Sequence, residues 1–224
     1  MTRPEPATDS RAQLSRDRVL ETAVAFADRH GFEALSMRKL GQELGASAMS
    51  AYYYFANKDQ LLDGMIDVVF SEIEPPSLEL EWRTAMRRRA VSTREALNRH
   101  RWAIGNMEGR TDHGAANIRL HDTVLGCLRA AGFSLRATVH AYSVQDAYIY
   151  GFVLQETDMA SQTADDFAAE AQRQMDAYEH LLADHPHIAE VVGGHVAKVG
   201  YDYDTEFLFG LDLILDGLDR LREG

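Results

Sequence analysis

The amino-acid sequence predicts an all-α protein, built from a small amino-terminal helix-turn-helix domain and a larger helical domain that follows it. Three observations predict this fold class. Only five of the 224 residues are proline. Apolar residues recur three and four positions apart along most of the chain, which is the spacing of one helix face. Near Gly45, two short helix-forming segments are joined by a tight glycine-containing turn, as in a helix-turn-helix.

Composition excludes several classes of protein. A single cysteine, Cys127, is too few for a disulfide framework, a zinc finger or an iron–sulfur cluster. The longest apolar runs are shorter than the roughly 18 residues that span a bilayer. Residues 1–10 contain no apolar signal-peptide core. We therefore expect a cytoplasmic protein that needs no cofactor.

Charge is distributed unevenly along the chain. Residues 1–60 carry no net charge, residues 61–139 carry +1, and residues 140–224 carry −13. An acidic segment repels the phosphate backbone of nucleic acids. Any contact with nucleic acid is therefore expected in the first sixty residues, and the acidity of the last third is explained most simply by solubility.

The first seventy-three residues are predicted to form a flexible arm and, over residues 14–73, a three-helix helix-turn-helix domain with a further helix that leads to the second domain. Residues 1–13 form the arm, in which Arg3 and Arg11 either reach a minor groove or belong to a tail without a role. Ser15, Ser36 and Asn57 have side chains that can cap the helices that follow them. The predicted helices are 15–30, 37–44, 48–55 and 58–73, with Pro75-Pro76 ending the last one.

The residues of the helix-turn-helix suit contact with DNA. Its second helix begins with small side chains that allow close approach to base edges, followed by three consecutive tyrosines. Consecutive residues on a helix point about 100° apart, so at least one of these tyrosines must face outward. Hydroxyl groups and basic side chains are the usual donors to phosphate. The candidate DNA-binding residues are Ser36, Arg38, Ala48, Met49, Ser50, Tyr52, Tyr53 and Lys58.

The segment from Ser36 to Leu62, especially Tyr52-Tyr-Tyr-Phe-Ala-Asn-Lys-Asp-Gln-Leu-Leu62, resembles the DNA-binding domain of the tetracycline-repressor family. The resemblance covers roughly residues 15–73. It implies that the second short helix lies in the major groove of DNA. It also implies that Leu40, Leu44, Ala51 and Phe55 pack the interior of the motif.

Residues 77–224 are predicted to form the second domain. We expect helices at about 80–101, 115–131, 135–156, 163–183 and 204–222, with irregular chain at 102–114 and 184–202. The first of these helices is rich in arginine, and we expect a solvated face that pairs with nearby acids; a second nucleic-acid surface is the alternative. Gly132–Leu135 and Glu206–Leu218 resemble the carboxy-terminal domain of tetracycline repressors proper.

The last helix carries an apolar seam with an average spacing of 3.5 residues, which is typical of helix bundles. The helix from Leu135 carries a matching seam. We expect the two helices to pair with a second copy of the chain as a four-helix bundle; packing within one chain is the alternative. The predicted dimer residues are Ala147, Tyr150, Leu154, Phe207, Leu211, Ile214 and Leu218. We expect Gly210 and Gly217 to mark the close approach of another helix.

The resemblance also implies a small-molecule pocket among the helices of residues 82–182. The predicted pocket residues are Trp82, Met86, Trp102, Met107, His121, Gln145, Tyr148, Phe152 and Met175. Tetracycline repressors hold a magnesium–drug complex through a histidine and a glutamate. The positions that match them here are Met107 and Gln155, which cannot replace those ligands. We therefore predict no metal site. Gln145 and Asp146 interrupt an apolar helix and either bond across the dimer or face a cavity.

Together these features predict a homodimeric, ligand-responsive DNA-binding regulator, most simply a repressor with a palindromic operator. Two alternatives belong to other classes. Asp165, Asp166 and Glu170 could form half of a magnesium site in an all-helical enzyme that acts on prenyl-type substrates. A ligand-free architectural DNA-binding protein should be basic, whereas this chain has a net charge of −12. His185, His187 and His195 could bind a metal, although loop histidines are more often simply exposed. Cys127 could react as a nucleophile, but it has no evident histidine and carboxylate partners.

Overall fold

The computed structural model describes residues 14–107, 114–156, 164–178 and 184–222, without the side chains of residues 164, 165 and 167. Every regular element in these ranges is a helix. The arm predicted for residues 1–13 and the helix cap predicted at residue 163 lie outside them. No helix among the described residues is long and apolar enough to cross a membrane.

The amino-terminal helices begin where side-chain caps were expected. The hydroxyls of Ser15 and Ser36 accept hydrogen bonds from the amides of Arg18 and Lys39. Asn57 accepts a hydrogen bond from the amide of Gln60 at 2.8 Å. These contacts satisfy amides that have no partner inside a helix. The helices are α1 (Arg16–His30), α2 (Met37–Glu43), α3 (Ala48–Tyr54) and α4 (Lys58–Ser71), with a 3-10 turn at Phe32–Ala34.

The remaining helices match the predicted order but not every boundary. They are α5 (Trp82–Arg99), α6 (Arg101–Met107), α7 (Ala115–Ala130), α8 (Leu135–Glu156), α9 (Ala164–Ala177), α10 (Pro186–Val191) and α11 (Tyr203–Arg222). A π-helical turn (Val192–Val196) and a last helical turn (Ala197–Val199) follow α10.

Two segments that we expected to be irregular are helical. Residues 101–107 form α6, so the prediction of irregular chain was wrong for residues 102–107. Residues 186–199 are helical throughout, so the prediction of a loop with one helical turn was wrong for these residues. The predicted helix 80–101 is instead interrupted at His100. The ring nitrogens of His100 lie 2.8 Å from Asp28 and 3.1 Å from Glu72, so this side chain connects the break to α1 and to the end of α4.

The described residues of Met1–Ile73 and Arg99–Leu120 form one compact unit, and those of Glu74–Asn98 and His121–Gly224 form another. The interior of the first unit is supplied mainly by α1 and α4, including Val19, Ala23, Leu61 and Met65, which are all fully buried. Burial of this apolar face holds the short helices α2 and α3 on a rigid base.

In the second unit, α5, α8 and α11 share an ionic network in which Arg94 and Glu156 are buried and Asp204 is exposed. The Arg94 guanidinium donates two hydrogen bonds to Glu156, at 2.8 and 2.6 Å, and its third nitrogen lies 2.7 Å from Asp204. Burial alone would lower the pKa of Arg94, but the two carboxylates raise it above its ordinary value. Arg94 therefore stays charged and fixes the three helices to one another.

Candidate functional site

The helix-turn-helix is closely packed. A side chain at Gly41 on α2 would place its Cβ only 2.8 Å from the backbone nitrogen of Ala48, where α3 begins. Glycine therefore allows α2 to approach the start of α3. The four residues predicted to pack the motif's interior, Leu40, Leu44, Ala51 and Phe55, are all buried, which confirms that prediction.

The outer face of α3 is apolar and aromatic, and it is exposed. Tyr53 is 83% exposed and Met49 is 76% exposed, with Tyr52 beside them. Ala51 on the opposite face is completely buried. Isolated exposed apolar side chains are common, but a short helix that presents three on one face has a surface available to a partner. The expectation that at least one tyrosine faces outward is therefore confirmed.

The third tyrosine has a structural role. The Tyr54 hydroxyl donates a hydrogen bond to the carbonyl of Leu14 at 2.5 Å, and its ring packs edge-to-face on Tyr53. This contact joins the end of α3 to the residues just before α1. The hydroxyl of Ser50, near the start of α3, lies 3.2 Å from that of Ser47.

The polar residues predicted to bind DNA around α3 differ in whether other side chains or backbone groups already hold them in place. Arg38 on the first turn of α2 is exposed. The Lys58 ammonium lies 4.2 Å above the Phe32 ring, so a cation–π contact already positions it. Ser36 keeps its place at the start of α2 through its capping bond. These three side chains and the face of α3 belong to the same compact unit.

The predicted pocket residues are divided between the two units. Trp102 and Met107 lie on α6 in the first unit. The Trp102 indole donates a hydrogen bond to Asp28 at 2.7 Å and stacks on Phe32. Its assignment to the pocket was therefore wrong, because its polar atom and its ring are both used in packing the first unit.

Tyr148 and Phe152 in the second unit pack α8 against α11. The Tyr148 hydroxyl donates to the carbonyl of Phe207 at 3.0 Å, and the rings of Tyr148 and Phe152 both contact the Phe207 ring. A Cβ on Gly210 would overlap the Tyr148 hydroxyl, which confirms the close approach expected there. Gly217 has open space within the single chain, so no helix of the same chain approaches it.

Four further predicted pocket residues lie in the second unit, three of them buried and His121 half-buried. Trp82 and Met86 on α5 are buried, and Trp82 packs edge-to-face on Phe133. His121 on α7 lies against the ring of Tyr142, and Gln145 on α8 is fully buried. Met175 is half-buried on α9 and lies where a side chain at Gly193 would meet it, so it packs on the π-helical turn.

A buried ion pair joins α5 to α8 in the second unit, and it was not expected from the sequence. Arg89 on α5 is almost completely buried, and its Nη1 lies 2.7 Å from Oδ1 of Asp146 on α8. Burial would lower the pKa of Arg89, but Asp146 raises it. The expected solvated arginine face was therefore wrong at Arg89 and Arg94, although Arg83 and Arg87 do pair with Asp216 and Asp212 as expected. The available signal was the apolar stripe of α5, which continues through Arg89.

The dimer seam predicted on α11 faces inward. Phe207 and Leu211 are completely buried within the single chain, so the prediction that they contact a second copy was wrong, while Leu218 is buried but lines a groove between α8 and α11. The apolar side chains that α11 exposes are Phe209, Leu213 and Leu221, and Ile214 is half-buried. Of the α8 candidates, Ala147 and Leu154 are exposed, while Tyr150 is half-buried.

Reactive and metal-binding groups are not prominent in the described part of the chain. No group of three histidine, cysteine, aspartate or glutamate side chains there could hold a metal ion. Burial raises the pKa of the Cys127 thiol, which keeps it protonated and favours packing over reactivity. The side chain of Asp165 lies outside the described set, and Glu170 pairs with Arg173 on its own helix.

Two families of known proteins match this chain, one in its amino-terminal part and one in the rest. Residues 19–65 match the family described as bacterial regulatory proteins, tetR family, and residues 75–222 match the tetracyclin repressor-like, C-terminal domain. The chain is 33% identical over 223 residues to the HTH-type transcriptional repressor DrrR1 of Streptomyces coeruleorubidus, covering 96% of this chain and 81% of that one. It is 27% identical to the class G tetracycline repressor protein of Vibrio anguillarum, covering 94% and 96%.

Solved structures show the same fold. ActR of Streptomyces coelicolor in complex with actinorhodin superposes with a TM-score of 0.76 at 26% sequence identity, covering 92% of this chain and 97% of that one. The same protein without ligand gives a TM-score of 0.74 at 25% identity, covering 95% and 98%.

Proposed function

The chain belongs to the tetracycline-repressor family of bacterial transcriptional regulators, and from this premise we propose that it is a homodimeric repressor released from a palindromic operator by a small molecule. The observation that carries the proposal is the exposed face of α3, set on a buried support and flanked by Arg38 and Lys58. The regulators and repressors among its relatives support this function over an enzyme of the prenyl-transferring type.

In the proposed complex, α3 lies in the major groove. Ala48 and Ser50 are small enough to allow close approach, Met49 reaches a thymine methyl group, and Tyr52 and Tyr53 donate to phosphates or base edges. Arg38 and Ser36, near the start of α2, and Lys58, at the start of α4, bind the flanking phosphates. In this complex only the first unit contacts phosphate and needs positive charge. The excess of acidic residues lies after residue 139 and therefore does not oppose the contact.

The second copy is proposed to dock on a groove between α8 and α11. The groove is lined by His140, Ser143, Val144, Leu213, Ile214, Gly217, Leu218 and Leu221. Most of its exposed surface is aliphatic, and Ala147 and Leu154 continue the exposed face along α8. Two such helix pairs related by a twofold axis bury these side chains as a four-helix bundle. The dimer also supplies two copies of α3, which must lie about 34 Å apart to reach successive turns of the major groove.

The effector is proposed to bind within the second unit. ActR, a relative with the same fold, is known in complex with actinorhodin and with (S)-DNPA. Here Trp82, Met86 and Gln145 supply buried side chains in that unit, and His121 supplies a half-buried one. A coupling free energy of about 1–3 kcal/mol between effector and DNA would change operator affinity roughly 5- to 150-fold.

The test is direct binding to DNA. Selection from a random oligonucleotide pool should enrich a palindrome, and one dimer should bind it with an affinity that falls steeply as salt rises. Failure to enrich any duplex sequence would refute the proposed function. Turnover of a prenyl diphosphate with Mg²⁺ and no DNA would support the enzyme alternative.

A further inference from the structure

Helix α3 has no side chain of the kind that forms paired hydrogen bonds with one base. Its residues, Ala48–Tyr54, are Ala-Met-Ser-Ala-Tyr-Tyr-Tyr. In the major groove, arginine or lysine usually recognises guanine and asparagine or glutamine recognises adenine, because these side chains bond to two atoms of the same base. None of these four residue types occurs in α3. The base contacts of α3 are therefore of another kind.

Met49 is the most exposed side chain in the first turn of α3, with 76% of its surface accessible. Ala48 and Ser50 on either side of it are half-buried. The hydroxyl of Ser50 also lies within hydrogen-bond distance of that of Ser47, at 3.2 Å. The residues at the amino-terminal end of a recognition helix are the ones that contact base edges. Met49 is therefore the side chain of α3 best placed to reach a base.

The 5-methyl group of thymine is the apolar group that base edges present in the major groove, and an apolar side chain distinguishes it from the other bases. Methionine is unbranched and its thioether is polarizable, so Met49 can adapt its shape to a methyl group. Tyr53 lies one helical turn further along α3, about 5.4 Å along the axis. Successive bases are about 3.4 Å apart, so Met49 and Tyr53 reach different base pairs.

The basic side chains next to α3 do not replace this contact. Lys39 on α2 donates a hydrogen bond to the carbonyl of Ala34 at 2.9 Å, and the Lys58 ammonium lies 4.2 Å above the Phe32 ring. Arg38 belongs to α2, the helix that crosses the DNA backbone in a helix-turn-helix. These groups are placed for phosphates, which hold a protein on DNA but carry no direct sequence information.

We propose that Met49 is a specificity-determining residue, and that it selects operators by the 5-methyl group of a pyrimidine and not by hydrogen bonds to the base. This inference rests on the proposed function and adds the chemical class of DNA that the protein selects. Thymine carries the methyl group naturally. 5-Methylcytosine carries it at the same ring position, so the preference for a methyl group extends to methylated cytosine.

The experiment changes single methyl groups in the palindrome that the full-length protein selects. Each thymine of the half-site is replaced in turn, in both halves, by deoxyuridine, which lacks only the methyl group. At the sensitive position, cytosine and 5-methylcytosine are then compared as a second pair that differs in the methyl group alone. Fluorescence anisotropy measures the affinities of the wild type, M49A, M49L and Y53A, and thermal unfolding reports whether each variant folds.

We expect the loss of one methyl group from each half-site to weaken binding of the wild type about fifteenfold, since burial of each methyl group contributes about fourfold. M49A should bind the thymine and deoxyuridine operators equally. M49L should keep the preference, because leucine is also apolar and of similar size. Y53A is the matched control from the same helix face: it should bind both operators more weakly and keep the wild-type preference. Methylation of cytosine should strengthen binding of the wild type but not of M49A.

The outcome is separable from that of the proposed function. If the wild type selects a palindrome but binds its thymine and deoxyuridine forms equally, the regulatory function stands and this inference is overturned. A methyl preference that persists in M49A, or that Y53A loses as completely as M49A, overturns it as well, because the effect does not then belong to Met49. Failure to select any duplex sequence overturns both the regulatory function and the inference.

Discussion

Asp67 on α4 caps the first turn of α7: its Oδ1 accepts hydrogen bonds from the backbone amides of Ala116, at 2.8 Å, and Asn117, at 3.0 Å. The capping side chain thus comes from a helix that is distant in sequence, whereas α1, α2 and α4 are capped by the residue that precedes them. Gly114 permits this contact, because a Cβ there would overlap the Asp67 carboxylate. Through this contact, α4, the helix that follows α3, supports the start of α7.

Replacing Asp67 with alanine should lower the free energy of unfolding by about 1 kcal/mol, the usual effect of losing a helix cap. Two amides at the start of α7 would lose their acceptor, together with a negative charge near the positive end of the helix dipole. Urea denaturation measures the change. D122A, at an exposed aspartate further along α7, is the control and should differ little from the wild type. Equal stability of D67A and D122A would show that water replaces the cap without cost.

Replacing Tyr53 with alanine should weaken operator binding by about tenfold or more, because it removes the most exposed side chain of α3. Fluorescence anisotropy with the selected palindrome measures the affinity, and light scattering should report the same dimer as the wild type. Y178A, at an exposed tyrosine just after α9, should bind DNA normally. Wild-type affinity in Y53A would remove α3 from its proposed role.

Two leucines separated by two positions on α11 should behave in opposite ways. Leu213 is 58% exposed in the single chain, and the proposed dimer buries it, so L213E should give a folded monomer. Leu211 is 0% exposed, so L211E should destabilise the fold by several kcal/mol, because a carboxylate would be buried without a partner. Analytical ultracentrifugation and circular dichroism distinguish these outcomes. A dimeric L213E variant would place the second copy elsewhere.

Glu72 should contribute to stability at neutral pH and lose that contribution in acid. Burial raises its pKa, but hydrogen bonds from Arg99 and His100 outweigh that effect, and its net pKa lies below the ordinary 4.5. The folded state therefore holds the proton less tightly than the unfolded state, so stability is present above pH 4.5 and falls as the pH drops through the lowered pKa. Unfolding measured from about pH 6 to pH 3 should show a shallower acid slope for E72Q than for the wild type. An unchanged slope would assign the acid sensitivity to other carboxylates.

Much of the fold could be predicted because its signals are local. Ser15, Ser36 and Asn57 cap the helices that begin immediately after them, so short windows of sequence contain both partners. The glycine-containing turn and the buried face of α3 follow from residues within one helical turn of each other. The exposed tyrosines could be expected for the same reason, although which two of the three are exposed depends on the bond from Tyr54 to Leu14.

The errors have non-local causes. Helix α11 has apolar side chains on two faces, and only packing against α8 decides that Leu211 faces inward and Leu213 outward. Arginine is usually exposed, and the burial of Arg89 depends on Asp146, which lies far along the chain. Gly193 and Gly194 favour a loop by intrinsic propensity, yet they lie in a helical segment where Met175 packs against Gly193.

The ion pairs of Arg94 with Glu156 and Asp204 limit which charge reversals this part of the protein tolerates. One guanidinium neutralises a carboxylate on α8 and another at the start of α11, so exchanging the charge of Arg94 with that of either carboxylate leaves the other carboxylate facing a like charge. An R94E/E156R double swap would set a glutamate against Asp204. A charge inversion that keeps both ion pairs of Arg94 must therefore change all three positions together.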